Sequence, residues 1–189
     1  MDEDFYTEYK NQKLDDYITV NYGWGVDTGL NHRSGKVWLF SYYEKFVKLV
    51  KEKFPQLKVV QIGLKTSPRM EGCDAYFMGE NIELVKYVLQ GSLLHIDCEG
   101  GMTHLATNLK TKCIVLFGMT PIKYYGYPQN INLQTGSCQN CCWMLPDYVS
   151  CYRGFEEPPC MAAITPEMVM EKVNEYFAEE KSCMETINL

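Results

Sequence analysis

The sequence predicts an α/β fold, a Rossmann-like parallel sheet with helices on both faces. Three observations carry this. Short β-rich runs alternate with helix-patterned segments along most of the 189 residues. Cys113-Ile114-Val115-Leu116-Phe117 is apolar without alternation, as a parallel strand covered on both faces must be. Glycines stop the strands at Gly23, Gly63 and Gly118. Strands alternating with helices imply right-handed crossovers within one sheet. Ligands of such sheets sit at the carboxyl ends of the strands, so the loops after Tyr22, Ile62, Asp97 and Phe117 form the candidate rim.

Residues 1–16 are polar and acidic without an apolar period, and read as a lead-in or the end of an interdomain linker. Tyr17-Ile18-Thr19-Val20-Asn21-Tyr22 is a strand. A Gly/Asn/Ser-rich loop reaches Gly35. Phe40, Tyr43, Phe46, Val47, Val50 and Phe54 recur at three- and four-residue steps, which makes Trp38 to Phe54 a helix closed by Pro55. Leu57 to Ile62 is the next strand, and Tyr76-Phe77-Met78 a short one. Asn81 caps a helix over Glu83 to Gln90, stopped by Gly91. Leu93 to Asp97 is a strand, and Gly100-Gly101 opens a helix through Leu109. After the strand Cys113–Phe117 comes an irregular Pro/Tyr/Gly/Asn segment and a Cys-rich loop at 136–162. Thr165-Pro166 then starts a last helix to about Ala178. One domain therefore spans 17–180, followed by a tail at 181–189.

Composition narrows the function classes. Eighteen basic against twenty-four acidic residues give a net charge of −6, with no dense Lys/Arg cluster. Nucleic acid is not an expected partner. No apolar run approaches the ~18 residues of a membrane span, and Met1-Asp2-Glu3-Asp4 is unlike a secretion signal. The expected location is cytoplasmic. Nine cysteines are many, but the count is odd and no signal supports a disulfide framework. Cys73, Cys98, Cys113 and Cys183 read as small buried hydrophobes.

The strongest chemical signal is Asp97-Cys98-Glu99-Gly100-Gly101-Met102-Thr103-His104-Leu105-Ala106. A strand ends in acidic residues, two glycines allow close backbone approach, and a helix begins. Its unpaired N–H groups and dipole suit a phosphate or diphosphate, and Glu99 suits sugar or ribose hydroxyls. A tight turn with Glu99 as a cap charge and His104 packed is the other reading. Lys36, just before a helix, is the wrong sign for the dipole unless an anion is near; a solvated lysine is its alternative. Tyr124, Tyr125 and Tyr127 suit stacking on a base or sugar, or simple local packing. Glu83 reads as a cleft or solvated charge, and His32 as a surface residue or a phosphate contact.

Lys36-x-Trp38, then Glu99-Gly100-Gly101-Met102-Thr103-His104-Leu105-Ala106, then Leu116-Phe117-Gly118-Met119-Thr120-Pro121 resemble the C-terminal half of glycosyltransferase family 9, the heptosyltransferases of lipopolysaccharide synthesis. The likeness runs from about Tyr17 to Phe177. It implies the GT-B arrangement of two facing Rossmann-like domains, of which this chain corresponds to the donor-binding one. It further implies binding of a nucleotide-diphosphate sugar such as ADP-heptose, and its transfer to a lipopolysaccharide, capsule or other glycan. No metal or cofactor takes part in transfer, and the location is cytoplasmic or peripheral at the inner face of a bacterial inner membrane. By position, Glu99 stands at the donor-binding Asp, Gly100 and Gly101 at the turn meeting the diphosphate, and Met102 and His104 on the helix behind. Lys36 stands at the phosphate lysine, Thr19 to Gly23 (with Asn21 and Gly23 as contacts) at the strand and loop that begin the pocket, and Thr120 in the Phe-Gly-x-Thr element. The catalytic Asp belongs to the acceptor domain, expected on a partner chain. Glu for Asp, Leu39 for the usual Pro, and Gly63-Leu64-Lys65-Thr66-Ser67 after the second strand depart from the family pattern.

Cys138-x-x-Cys141-Cys142, Cys151 and Cys160 suggest a thiolate site for structural zinc or iron, with reduced structural cysteines as the alternative. A similar Cys…Cys-Met stretch occurs in the family, and Cys160-Met161 fits it. Two further readings stand beside the transferase. One is a non-catalytic nucleotide-sugar-binding or scaffold module of a glycosylation complex. The other is a flavodoxin-like redox protein, which would need a Ser/Thr/Gly-rich phosphate loop that this chain lacks after its first strand.

Overall fold

The computed structural model describes residues 2–22, 36–136 and 151–187, with side chains to residue 182. The helices are α1 (Glu3–Asn11), α2 (Phe40–Lys53), α3 (Ile82–Gln90), α4 (Gly101–Asn108), α5 (Ile122–Tyr125), α6 (Pro159–Ala162) and α7 (Pro166–Ile187). The strands are β1 (Tyr17–Asn21), β2 (Lys58–Gly63), β3 (Ala75–Met78), β4 (Leu94–Cys98), β5 (Cys113–Phe117) and β6 (Ile131–Gln134). They form one parallel sheet in the order β3-β2-β1-β4-β5-β6. This is the doubly wound Rossmann order, and the predicted α/β class holds.

The side-chain period of two in each strand feeds two cores. Ile18, Val20, Val59, Leu94, Ile96, Ile114 and Leu116 point to one face, where Tyr43, Phe46, Val47 and Val50 of α2 and Val169 and Val173 of α7 cover them. Tyr17, Val60, Ile62, Cys113, Val115 and Phe117 point to the other, under Leu84, Val85, Val88 and Leu89 of α3 and Ala106 of α4. Every residue of β1, β4 and β5 is buried. Trp38 fastens the first layer: it is fully buried, and its indole N–H donates to the Ile164 carbonyl at 2.7 Å. As predicted, Asn81 caps α3, its Oδ1 accepting from the Glu83 N–H at 2.9 Å.

Four elements were not predicted, most bounds shift by one or two residues, and the end of α7 shifts further. The acidic start is not a bare lead-in: it contains α1, which packs Phe5 and Tyr9 on the α3 face. Its anchors are distant in sequence. Tyr17 Oη bonds Tyr9 Oη at 3.2 Å, and Tyr87 Oη donates to the Asp2 carbonyl at 3.0 Å. Gly91 makes room for this, since a Cβ there would lie 2.0 Å from Tyr9 Oη. β6 is a four-residue edge strand with every side chain half-buried, so it has no alternation to read. α5 and α6 are single turns of four residues. α2 begins at Phe40, so Lys36 lies ahead of the helix rather than at its start. α7 runs on to Ile187 instead of ending near Ala178. Gly23, His32, Cys138, Cys141 and Cys142 lie outside the described residues.

Candidate functional site

The strand order reverses between β1 and β4, and the crevice outside their carboxyl ends is the expected binding position of an open α/β sheet. A cleft of about 470 Å³ opens there, within the range of small-molecule sites. Asn21 from the end of β1 and Asp97 from β4 contribute from the sheet. Ile62, Gly63 and Leu64 follow from β2, and Gly79, Glu80, Ile82 and Val85 from the β3–α3 connection and α3. Lys36 and Val37 precede α2, and Glu99, Gly100, Gly101 and Met102 lead into α4. One part of the lining is thus apolar and another charged.

Beneath the charged part, β1 and β4 place Thr19 opposite His95. Both are fully buried. The hydrogen-bond directions set the imidazole tautomer. Ser92 Oγ donates to the Leu94 carbonyl at 2.8 Å, so it accepts from Thr19 Oγ1 at 3.0 Å. Thr19 Oγ1 must in turn accept from His95 Nδ1 at 2.9 Å. His95 therefore carries a proton on Nδ1 and turns Nε2 toward Asp97 Oδ2, 3.5 Å away. Asp97 is pinned by two donors: the Asn21 Nδ2 amide to Oδ2 at 2.9 Å and the Cys98 N–H to Oδ1 at 2.7 Å. Sequence reading named Thr19 to Gly23 and Asp97, but not His95, which meets Thr19 beneath the cleft.

Glu99 is the central acidic group. Lys36 Nζ donates to its Oε2 at 2.8 Å, while His104 Nε2 stands 3.8 Å from Oε1. The Glu99 side chain is 5% exposed and that of Lys36 23%. Lys36 also lies over the Tyr125 ring, 5.8 Å from its centroid. His104 Nδ1 bonds Tyr127 Oη at 3.0 Å, which accounts for two of the aromatic residues singled out in the loop after β5. Tyr124, by contrast, is exposed beside Lys123.

The two glycines are not there for a turn. Neither lies in the left-handed region, Gly100 being extended, and among the described residues the only neighbour of a Cβ at Gly100 would be the Cys98 carbonyl, at 3.9 Å. A Cβ at Gly101 would meet no described atom within 4 Å. The described residues would tolerate side chains at both positions, and glycine there leaves space in the cleft. With glycine as N-cap and no side-chain cap, the first-turn N–H groups of α4 are left for a ligand.

Of the sequence candidates, the structure brings Lys36, Glu99, Gly100, Gly101, Met102 and Asn21 together. It does not bring Thr120, which is 3% exposed and away from the cleft lining. His104 acts behind Glu99 rather than on the cleft lining. Glu83 turns away to Lys86 Nζ at 2.9 Å, and its neighbour Glu80 lines the cleft in its place. The signal for Glu80 was available: an acidic residue directly after a strand-ending glycine, before a helix cap. Lys36 answers its charge problem with Glu99, not with a helix dipole.

Cys98 and Cys113 are buried thiols, and Cys73 is half-buried. Burial pushes each up to about 12, and Cys98 also accepts from the Trp38 N–H. Cys151 and Cys160 are buried as well. Among the described residues, no group of three or more His, Cys, Asp and Glu side chains is arranged to hold a metal. No described helix is long and apolar enough to cross a membrane.

The arrangement is that of a Rossmann-like α/β domain with a small-molecule cleft at its topological switch point. Its structural neighbours are heptosyltransferases of glycosyltransferase family 9. Escherichia coli ADP-heptose lipopolysaccharide heptosyltransferase II shares 15% identity at a TM-score of 0.65, over 96% of this chain and 53% of that one. TibC, a dodecameric iron-containing heptosyltransferase of enterotoxigenic E. coli solved with ADP-D-β-D-heptose, shares 14% at 0.69, over 88% and 46%. A family 9 glycosyltransferase from Veillonella parvula shares 16% at 0.67, over 94% and 50%. The chain spans about half the length of the solved structures it matches. No family model and no curated protein sequence matches it. Identities this low establish the fold shared with these enzymes.

Proposed function

We propose that this chain is the donor-binding half of an inverting glycosyltransferase and takes a nucleotide-diphosphate sugar. The observation that carries the reading is the pair of glycines at the uncapped start of α4, which keep cleft space that the fold itself does not need. In this reading the diphosphate lies over the first-turn N–H groups of α4 and draws on Lys36. Asp97 and Glu99 accept hydrogen bonds from ribose or sugar hydroxyls. Ile62, Leu64, Ile82 and Val85 form the apolar shelf for the base. Donors fixed in place before reaction would stabilise the charge that develops on the departing diphosphate, without a metal. The likeness to enzymes such as TibC, solved with ADP-D-β-D-heptose, supports a nucleotide-sugar ligand.

Inverting transfer also needs a base beside the acceptor hydroxyl. Two of the acidic groups lining this cleft are already engaged, Asp97 by Asn21 and Glu99 by Lys36, and Glu80 stands exposed at its edge. The base and the acceptor site, for lipopolysaccharide, capsule or another glycan, belong in this reading to a facing domain that also excludes water. The Cys138, Cys141, Cys151 and Cys160 set is proposed to hold a structural zinc or iron, outside the chemistry.

The test is a thermal-shift screen against ADP-, GDP- and UDP-sugars, because a ligand that binds only the folded state raises its stability. One nucleotide class should raise the melting temperature, and Lys36→Ala should weaken that binding by about 1–3 kcal/mol. The chain alone should bind that donor and transfer it negligibly. Transfer by the chain alone, lost in Glu99→Gln, would move the base onto this domain. No shift with any nucleotide sugar would refute the reading.

A further inference from the structure

Beneath the cleft floor lies a titratable group that the donor-site reading does not use. His95 and Asp97 are two residues apart on β4, so they share one face of the sheet. Their side chains are 0% and 2% exposed. One edge of the ring is fixed, its Nδ1–H donating to Thr19 Oγ1 at 2.9 Å. At the other edge Nε2 has no hydrogen-bond partner among the described residues, and it faces Asp97 Oδ2 at 3.5 Å. A neutral ring would therefore set a buried lone pair against a carboxylate oxygen. That leaves an acceptor unsatisfied and opposes it to negative charge in a low-dielectric interior, where both effects are costly. A proton between the two atoms removes both. Asp97 is the poorer place for it: its oxygens already accept from Asn21 Nδ2 and the Cys98 N–H, and such bonds favour the ionised carboxylate. The surroundings supply no other cation to Asp97. Burial pushes up Tyr17 of β1, Tyr43 of α2, Cys98 of β4 and Cys113 of β5, so these groups stay uncharged. Leu84, Val85, Val88 and Leu89 of α3 and Ala106 of α4 cover this face of the sheet. Lys36 forms its ion pair with Glu99.

We infer that His95 is a positioning residue: an imidazolium with a proton on each ring nitrogen, which serves as the buried counter-ion of Asp97. A buried ion pair persists only where its other donors and acceptors are bonded, and Thr19, Asn21 and the Cys98 N–H meet that condition here. The pair forms within one strand and needs no ligand. It holds the Asp97 carboxylate from beneath and cancels its charge at the cleft floor. Glu99 is matched in the same way by Lys36. An anionic ligand then meets two neutralised pairs and Glu80, rather than three bare carboxylates.

The experiment is nitrogen NMR of the imidazole rings in the unaltered protein at about pH 7.5, roughly a unit above the ordinary histidine value. The chain has three histidines, so His32→Gln and His104→Gln assign the signals by elimination. His95 should show both ring nitrogens protonated, at a pH where an exposed histidine is mostly neutral. A ring with one bare nitrogen overturns the inference, whichever nitrogen it is. Asp97→Asn is the second arm. Its amide offers a donor to Nε2 in place of the negative charge, so the His95 ring should lose one proton at the same pH. A ring still doubly protonated in that variant overturns Asp97 as the counter-ion. If Asp97→Asn does not fold, the spectrum of the unaltered protein decides alone. The nucleotide-sugar screen is independent: a neutral ring beside a positive screen removes the ion pair and leaves the donor-site reading standing.

Discussion

Gly101→Ala separates what the fold needs from what the cleft needs. Gly101 is the first residue of α4, exposed, without positive φ, and an added Cβ meets no described atom within 4 Å. Alanine is therefore compatible with the native backbone and restricts the unfolded chain. Such changes stabilise by about 0.4–1 kcal/mol. At roughly 2–4 °C per kcal/mol for a chain of this size, the melting temperature should rise by about 1–4 °C. Binding should move the other way. The methyl group enters the cleft beside the first-turn N–H groups, and a phosphate pushed off them forfeits charge-assisted hydrogen bonds worth about 1–3 kcal/mol. The assay is a melting curve of the free protein beside calorimetry with the nucleotide sugar that the screen selects. A lower melting temperature would show that the backbone itself demanded glycine. A higher one with undiminished binding would show that no ligand passes over the start of α4.

Other consequences are independent of that site. Cys73, Cys98 and Cys113 are raised by burial to about 12 from an ordinary value of 9.0, so the unfolded chain releases these protons first. Stability should hold below pH 9 and fall from there toward 12, by up to roughly 1.4 kcal/mol per pH unit for each thiol. Urea midpoints across that range test this, and a flat profile would contradict the burial of these thiols. Asn21→Leu strips Asp97 Oδ2 of its amide donor and should cost about 1.5–3 kcal/mol, the range for hydrogen bonds to charged groups, in chemical denaturation. An unchanged midpoint would show that Asp97 does not depend on Asn21. If Cys138, Cys141, Cys151 and Cys160 hold a metal, elemental analysis should find about one zinc or iron per chain. Metal-free protein prepared without chelators would return them to plain thiols.

The sequence by itself determined the class of fold and most of its elements, because each rests on a local period. The three- and four-residue steps from Phe40 to Val50 made α2, and the unbroken apolar run Cys113–Phe117 made a strand covered on both faces. It also determined which loops rim the cleft, since the ends of β1 and β4 carry Asn21, Asp97 and Glu99 wherever the strands lie. Local pattern failed where stability comes from elsewhere. α1 depends on Tyr87 and on the space at Gly91, some eighty residues away, and β6 on pairing with β5. The tertiary structure alone decided which groups meet. Lys36 and Glu99, 63 residues apart, become one ion pair only because β1 and β4 are neighbours at the switch point. The same adjacency sets Thr19 against His95 beneath the cleft and Asn21 on Asp97, while Thr120 and Glu83, as well placed in the sequence, point away. Periodicity is a property of neighbours along the chain. Contact at a site follows from strand order and register, which no single segment contains.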